Sequence, residues 1–137
     1  MELEKLIPQR EPFLFVDEII ELEPGVRAWG RKKLTGDEAF FKGHFPARPV
    51  FPGVLMIEAT GQLANAVVRA LPEYEDGYLY YSKMSKVKFS EAAVPGDDLE
   101  LEVLVTEKID DLIFCKVFVR KESREAFRAD VVFHVEK

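Results

Sequence analysis

Residues 52–71, PGVLMIEATGQLANAVVRAL, predict the element around which the rest of the chain folds. Apolar side chains occupy most of the circumference at helical spacing, and a helix that is apolar on nearly all sides is a buried one. Pro52 can occupy the first helical position, where the missing N–H of a proline costs nothing. Pro72 then ends the helix. The sequence therefore predicts a buried helix over residues 52–71.

About six segments around this helix have the composition of β-strands. Apolar and polar residues alternate from Leu99 to Thr106 and from Phe127 to Val135, which is typical of strands with one buried face. Four other segments are rich in aromatic and β-branched residues, namely 13–20, 26–34, 78–89 (with imperfect alternation that suggests a bulge) and 112–120. Short connections favour antiparallel order. We therefore expect one α+β domain over residues 1–137, with an antiparallel sheet of about six strands around a central helix. Such a sheet leaves an edge strand that a second copy can pair with, so we expect a dimer.

Composition and charge argue against several classes of protein. A net charge of −6 disfavours a nucleic-acid partner, and no apolar run approaches the length of a membrane span. The single cysteine, Cys115, lies in an apolar run where we expect it to be buried, and it excludes internal disulfides. Neither a metal-ligand cluster nor a glycine-rich phosphate loop is present, so we expect no metal and no cofactor. The first residues lack the order of a secretion signal, which favours the cytoplasm.

Four polar residues interrupt the apolar helix at spacings that place them on one stripe: Glu58, Gln62, Asn65 and Arg69. Spacing alone favours a solvated face of an amphipathic helix. The apolar neighbours on both sides instead favour a functional stripe, in which Gln62 orients the carboxylate of Glu58. Burial would raise the pKa of that carboxyl, which suits an acid that works near neutral pH.

The segment just before the helix holds a second candidate group. Three prolines and two glycines between Phe40 and Gly53 predict a stiff, irregular loop around His44. A lone histidine in a loop is more often structural or exposed than catalytic, and His134 on the last strand is assigned no role. The loop ends at a helix N-terminus, where the amides of Gly53 and Val54 can hold negative charge on a carbonyl oxygen. A base, an acid and an oxyanion site could therefore share one neighbourhood.

The stretch GHFPARPVFPGVLMIEATGQ, residues 43–62, resembles the signature of bacterial (3R)-3-hydroxyacyl-[acyl-carrier-protein] dehydratases. Residues 7–17 resemble the N-terminal segment of that family, and residues 87–89 and 94–99 resemble its later strand and turn. The resemblance covers nearly the whole chain and is weakest after residue 106. It implies a hot-dog fold, in which a curved antiparallel sheet wraps a long central helix. It also implies a homodimer, and assembly of dimers as trimers is common in the family.

The resemblance implies roles for individual residues and a site shared by two protomers. His44 of one protomer would take the α-proton of a 3-hydroxyacyl thioester carried on the phosphopantetheine of acyl carrier protein. Glu58 of the other would protonate the departing hydroxyl, and Gln62 would orient it. The amide of Gly53 would bind the thioester oxygen, and the remaining substrate-binding residues would be Val54, Phe45 and Phe51. A glutamate at position 58 resembles the branch that does not isomerise its trans-2-enoyl product, a step of fatty acid biosynthesis.

Several residues depart from the pattern of the family. Gln9 stands where histidine is usual, Glu11 replaces an aromatic residue, and Phe51 replaces methionine. Thr60-Gly61 replaces a Met-Ala pair, and Ser85 replaces aspartate. A specialised paralogue is therefore one interpretation of the sequence.

An acidic carrier would need a local basic patch in order to dock on a chain of net charge −6. Lys86 and Lys88, with Arg48 near the site in sequence, are the candidates, and Lys83 lies on the same strand. The alternative is that these lysines only protect a solvated strand edge.

Two other functions remain open at this stage. Hot-dog proteins also include acyl thioesterases, and fold alone does not fix function. Thioesterases of this fold use a helix carboxylate but do not generally need the Gly-His-Phe-Pro loop, so the intact loop favours dehydration. A catalytically idle acyl-binding subunit is the third hypothesis, and the changes at Gln9, Glu11 and Thr60 are its only support.

Overall fold

A computed structural model describes residues 2–137 of the chain. Within these residues, six strands form one sheet, accompanied by three α-helices, of which the third is the long one, and by a short 3-10 helix (Pro72–Tyr74). The strands are β1 (Glu18–Glu23), β2 (Arg27–Lys33), β3 (Tyr78–Phe89), β4 (Asp98–Ile109), β5 (Leu112–Lys121) and β6 (Arg124–Glu136). The helices are α1 (Leu3–Leu6), α2 (Ala39–Gly43) and α3 (Gly53–Arg69). None of the helices within residues 2–137 is long and apolar enough to cross a bilayer.

All neighbouring strands are antiparallel, in the order β1-β2-β4-β5-β6-β3. Helix α3 packs against strands from β1 at one edge to β3 at the other, so the sheet curves around the helix. This confirms the expected α+β class and the hot-dog arrangement. The edge strand β3 carries two irregularities in its pairing with β6, as its imperfect alternation suggested.

The core lies between α3 and the concave face of the sheet. Every residue of α3 from Ala59 to Val68 is buried, which confirms the predicted buried helix. On β4, Leu99, Leu101 and Val103 are fully buried and Val105 is partly buried, while Glu100 and Glu102 lie on the other face. Cys115 is buried among these residues, as expected.

The prediction of a strand over residues 13–20 was wrong for its first half. Strand β1 begins only at Glu18, because the backbone of Phe13 and Phe15 is hydrogen-bonded to the side chain of Gln62 on α3 rather than to a neighbouring strand. The segment keeps its apolar character because it covers the helix. Aromatic composition therefore indicated burial correctly for Phe15 but not for Phe13, which is 51% exposed, and it indicated the secondary structure incorrectly for both.

Two predicted boundaries near the helix also needed correction. Helix α3 begins at Gly53, with Pro52 as its N-cap rather than its first residue, and it ends at Arg69. The predicted irregular loop begins with the short helix α2, which turns the ring of Phe41 into the core. The irregular part is therefore shorter than expected and runs from His44 to Pro52.

Candidate active site

The carboxyl group of Glu58 is held by a glutamine whose own orientation is fixed. The amide N–H of Phe15 donates to Oε1 of Gln62 over 2.8 Å, which requires that atom to be oxygen. Nε2 of Gln62 therefore faces the other way, where it donates to the carbonyl of Phe13 (2.8 Å) and to Oε2 of Glu58 (3.1 Å). Gln62 is fully buried, so its orientation has little freedom to change. The expected pairing of Gln62 with Glu58 is confirmed.

Burial raises the pKa of Glu58 above its usual range. Two donors act against that shift, the amide of Gln62 and the hydroxyl of Tyr81, because each stabilises the ionised form. The hydroxyl of Tyr81 lies 3.2 Å from Oε1 of Glu58, so each carboxyl oxygen has one donor. A half-buried carboxyl with a raised pKa is suited to act as a general acid.

The sequence analysis did not identify Tyr81 as a site residue. The irregular alternation of β3 gives no clear inward face, and nothing in the local pattern places this tyrosine against the helix. A signal did exist in Gly61, because a small residue in the middle of a buried helix indicates close approach of another group. In the structure that group is the hydroxyl of Tyr81.

His44 is held at both its backbone and its ring. Its backbone N–H closes helix α2 on the carbonyl of Phe40, and its Nδ1 lies 3.0 Å from the carbonyl oxygen of Val50. A carbonyl can only accept, so Nδ1 carries the proton and Nε2 keeps a free lone pair. The ring of Phe45 packs on the imidazole at 4.2 Å between centroids. This tautomer leaves His44 able to act as a base through Nε2.

The N-terminus of α3 carries the two amides that the sequence analysis predicted as an oxyanion site, and that role stays a prediction. The first N–H groups of a helix have no acceptor within it, and those of Gly53 and Val54 hold these positions. The next two, of Leu55 and Met56, are already bonded to the carbonyl of Pro52. The ring of Phe89 covers Gly53 so closely that a Cβ there would lie 2.8 Å from it, so glycine is needed. Val54 is 69% exposed.

The polar stripe on α3 is not a solvated face, and that interpretation was wrong. Gln62 and Asn65 are buried, Asn65 donates to the carbonyl of Gly61, and Arg69 donates to the carbonyl of Gly77. Of the four, Glu58 presents its carboxyl together with Tyr81 at the surface of the helix. The apolar residues on both sides of the stripe correctly indicated that it is not a solvated face.

The other predicted site residues differ in their exposure to solvent. Phe45 is 60% exposed beside His44, whereas Phe51 is 1% exposed and packs against Phe40 and Phe15. Arg48 lies exposed in the loop after His44. Contact of Phe51 with a substrate therefore stays a prediction.

The two catalytic candidates are not hydrogen-bonded to each other within residues 2–137. His44 contacts Val50 and Phe45, while Glu58 contacts Gln62 and Tyr81. No group of three or more potential ligand residues in the described part of the chain could hold a metal ion. Within residues 2–137, the ring of His44 and the carboxyl of Glu58 are therefore oriented by different groups.

An apolar cavity of about 490 Å³ lies beside the segment that Gln62 holds. Its walls include the apolar residues Phe13, Leu14, Phe15, Phe40 and Leu55, and the charged residues Glu11, Lys32, Asp37 and Glu38 also line it. Leu55 follows Gly53 and Val54 in the sequence, so one wall of the cavity belongs to the first turn of α3. The volume and the lining suit an alkyl chain.

Comparison with known proteins gives consistent results. The model of the FabA-like domain family matches residues 7–130. The chain is 40% identical over 136 residues to the 3-hydroxyacyl-[acyl-carrier-protein] dehydratase FabZ of Clostridium novyi (strain NT), which covers 99% of this chain and 96% of the relative. It is 38% identical to the protein of the same name from Thermoanaerobacter pseudethanolicus, over 96% of this chain and 93% of the relative.

Solved structures show the same fold at low sequence identity. The dehydratase heterocomplex ApeI:P from Xenorhabdus doucetiae superimposes with a TM-score of 0.82 at 10% identity and covers 100% of this chain and 92% of the other. A hypothetical thioesterase protein with coenzyme A from Streptococcus pneumoniae TIGR4 superimposes with a TM-score of 0.69 at 13% identity, over 87% and 84% of the two chains.

The raised pKa of Glu58 predicts a pH-dependent effect of Glu58→Gln on stability. Because the folded chain binds this proton more tightly than the unfolded chain, the wild type loses stability as pH rises from about 4.3 to the folded pKa. The glutamine variant has no such loss. The difference in Tm, variant minus wild type, should therefore become more positive between pH 4 and pH 7.5 when thermal unfolding is followed by circular dichroism.

Glu38→Gln is a control of opposite sign. Burial alone would raise the pKa of Glu38, but the backbone N–H groups of Thr35 and Gly36 outweigh it and lower that pKa. Its difference in Tm should become more negative over the same pH range. A Glu58→Gln difference that stays constant with pH would contradict a raised pKa at Glu58.

Proposed function

We infer that this chain, which belongs to the FabA-like domain family, is a 3-hydroxyacyl-[acyl-carrier-protein] dehydratase. It is a hydro-lyase of fatty acid biosynthesis that converts a 3-hydroxyacyl thioester into the trans-2-enoyl thioester and water. Identity of 40% over almost the full length of dehydratases carries this conclusion. In the structure, the observation that supports it best is the partly buried carboxyl of Glu58, oriented by Gln62 and raised in pKa.

In the mechanism that we propose, His44 is the base and Glu58 is the acid. Nε2 of His44 takes a proton from C2 of the substrate, and the electrons of that C–H bond form the C2–C3 double bond as the C3–O bond breaks. Glu58 protonates the departing hydroxyl, which leaves as water. The amides of Gly53 and Val54 hold the thioester oxygen, on which negative charge develops. The reaction leaves a protonated His44 and an ionised Glu58, and return of the proton to Glu58 completes the cycle.

Two copies of the chain together form the site in this proposal. Within residues 2–137, His44 and Glu58 are not hydrogen-bonded to each other, and the edge strand β3 has no partner strand on its outer side. That strand exposes large apolar side chains, which water disfavours and a second β3 strand would cover. They are Tyr78, Tyr80, Tyr81, Val87 and Phe89. Pairing through β3 would bring His44 of one copy to Glu58 of the other, and trimers of such dimers stay a prediction.

The acyl chain and its carrier have separate places in the proposal. The cavity beside Leu55 receives the alkyl chain, since aromatic and aliphatic side chains form much of its lining and Leu55 follows the oxyanion amides in the sequence. The carrier docks on the exposed basic residues Lys86, Lys88 and Arg48. Lys116 and Arg128 lie next to Lys86 on the outer face of the sheet and extend this patch, in which Asp130 pairs with Lys86 and Lys116. We propose the cytoplasm as the compartment, as the sequence suggested.

A thioesterase is the second candidate because a hypothetical thioesterase protein shares the fold. Hydrolysis of a thioester does not require removal of a proton from C2. The hydrogen bond between His44 and Val50 selects the tautomer with an unprotonated Nε2, whose clearest use is to take that proton. An idle acyl-binding subunit would likewise have no use for both oriented groups. Release of free thiol from an acyl thioester is the observation that would favour hydrolysis.

His44→Ala and Glu58→Gln should each lower kcat by roughly 10²–10⁴-fold, the usual contribution of a general acid or base. The measurement is the enoyl absorbance that develops from a (3R)-3-hydroxyacyl carrier-protein thioester, with free thiol followed in parallel. His134→Ala is the matched control, because that histidine is exposed on β6 and has no partner group in the site. Turnover near the wild-type level in either variant would remove that residue from the mechanism.

Mixing the two inactive variants should restore activity if each site takes one residue from each copy. A dimer of one His44→Ala chain and one Glu58→Gln chain has one intact site, so random exchange should return about a quarter of wild-type activity. Subunit exchange is verified by mass spectrometry with one chain isotopically labelled. Exchange without recovered activity would show that each site is built from a single chain.

Reversing charge at Lys86 and Lys88 should raise KM for the carrier-bound substrate much more than KM for a short pantetheine thioester. The physical reason is that only the carrier contacts the basic patch. The matched control reverses Lys5 and Lys33, which are also exposed and change the net charge equally. The docking site would be ruled out by equal increases with both substrates, or by an equal effect of the control pair.

A further inference from the structure

The edge strand β3 places one tyrosine hydroxyl between two acceptors of the catalytic helix. Oη of Tyr81 lies 3.2 Å from Oε1 of Glu58 and 3.1 Å from the carbonyl oxygen of Ile57. A phenol has a single proton to donate and can also accept. It can therefore donate to only one of these two oxygens at a time.

The choice between them depends on whether Glu58 is protonated. An ionised carboxylate is the stronger acceptor, so the hydroxyl donates to Oε1. A carboxyl protonated on Oε1 can instead donate to Oη, which then turns its own proton to the carbonyl of Ile57. Both protonation states of Glu58 thus have a satisfied hydrogen bond at the same heavy-atom positions.

We propose that Tyr81 is a positioning residue that holds the carboxyl of Glu58 in both states that occur during turnover. This inference rests on the proposed function, in which Glu58 begins each cycle protonated and ends it ionised. With Gln62 fixing Oε2 and Tyr81 fixing Oε1, the carboxyl plane stays in place while its charge changes. Only the hydroxyl proton of Tyr81 has to move.

Gly61 is the residue that makes this contact possible. A Cβ at position 61 would lie 2.0 Å from Oη of Tyr81 and 2.8 Å from Cζ, distances at which the ring would have to move. Any side chain at position 61 therefore pushes the hydroxyl away from Glu58. A glycine inside a helix costs about 0.5–1 kcal/mol relative to alanine, so its presence in the middle of α3 agrees with a role for the space it leaves.

The strand is shaped to deliver the ring. The pairing of β3 with β6 shifts register between Tyr81 and Lys83, and such bulges redirect the side chain beside them. The ring of Tyr81 also packs on that of Phe133 at 5.1 Å between centroids, which holds it over the helix. Removal of the hydroxyl alone would leave this packing in place.

Few titratable groups affect the pKa of Glu58. Burial, the amide of Gln62 and the hydroxyl of Tyr81 account for the shifted pKa of Glu58, and no charged side chain of residues 2–137 contributes. In the proposed dimer, His44 of the second copy is the further titratable group that would face it. A change at Tyr81 should therefore be observed directly in the titration of Glu58.

The test is Tyr81→Phe, which keeps the ring and removes the hydroxyl. The titration of Glu58 in the free enzyme, followed by carbon-13 NMR of its carboxyl and assigned with Glu58→Gln, should move to higher pH because a donor to the carboxylate is lost. The alkaline limb of the kcat/KM profile should move the same way, and kcat at neutral pH should fall about tenfold. Tyr78→Phe, which removes an exposed hydroxyl from the same strand, should change none of these.

Gly61→Ala is the second variant, and it leaves Tyr81 itself unsubstituted. It should raise the pKa of Glu58 as Tyr81→Phe does, and in the Tyr81→Phe background it should add little to that pKa, since no hydroxyl remains to be displaced. Circular dichroism and Tm establish that each variant is folded. If one of the two does not fold, the other decides alone.

The outcomes separate this inference from the proposed function. Absence of enoyl product from the wild type would overturn the dehydratase assignment, while the NMR titration would still show whether Tyr81 bonds to Glu58. An active wild type with an unchanged Glu58 titration in Tyr81→Phe would overturn the inference alone. Loss of activity without any change in titration or pH profile would likewise overturn it, because that result assigns Tyr81 only a packing role.

Discussion

The site depends on one buried amide, the side chain of Gln62. Its three hydrogen bonds join the segment before β1 to the central helix and orient the carboxyl of Glu58. A buried amide that loses a partner is costly, by roughly 1–3 kcal/mol for each unsatisfied group, so these bonds support one another. The same amide therefore fixes both the fold of Phe13–Phe15 and the geometry of the Glu58 carboxyl. Movement of any of these groups would leave a buried polar group without its hydrogen-bond partner.

This constraint explains the main error of the sequence-based fold. Helix α3 and strands β4 and β6 follow from periodicity, and β2, β3 and β5 follow from composition, because their hydrogen bonds stay within the helix or the sheet. The backbone of Phe13 and Phe15 bonds instead to a side chain from a distant part of the chain. Aromatic composition is consistent with the burial of Phe15, but it does not indicate the exposure of Phe13. Local pattern cannot show which group receives its hydrogen bonds.

The candidate site was predictable in the same uneven way. The tautomer of His44 and the pairing of Glu58 with Gln62 agree with roles that the resemblance implied, because those residues stand in a long contiguous motif. Tyr81 lies outside that motif on a strand with irregular alternation, and only the fold brings it to the helix. The sequence did contain Gly61 as a departure from the usual alanine. Its meaning became visible only once the hydroxyl of Tyr81 was found in the space that glycine leaves.

In the proposed mechanism, the surroundings of Glu58 must favour its protonated form before the reaction and its ionised form afterwards. A proton donor must be protonated before the reaction, and burial favours that state by raising its pKa. The same group must tolerate ionisation after it has given up the proton, and donors on both oxygens favour that second state. Burial alone would give a carboxyl that holds its proton too firmly, while donors alone would give one that is ionised at neutral pH. A partly buried carboxyl between an amide and a hydroxyl lies between these limits, which is where an acid that must be reprotonated in every cycle works best.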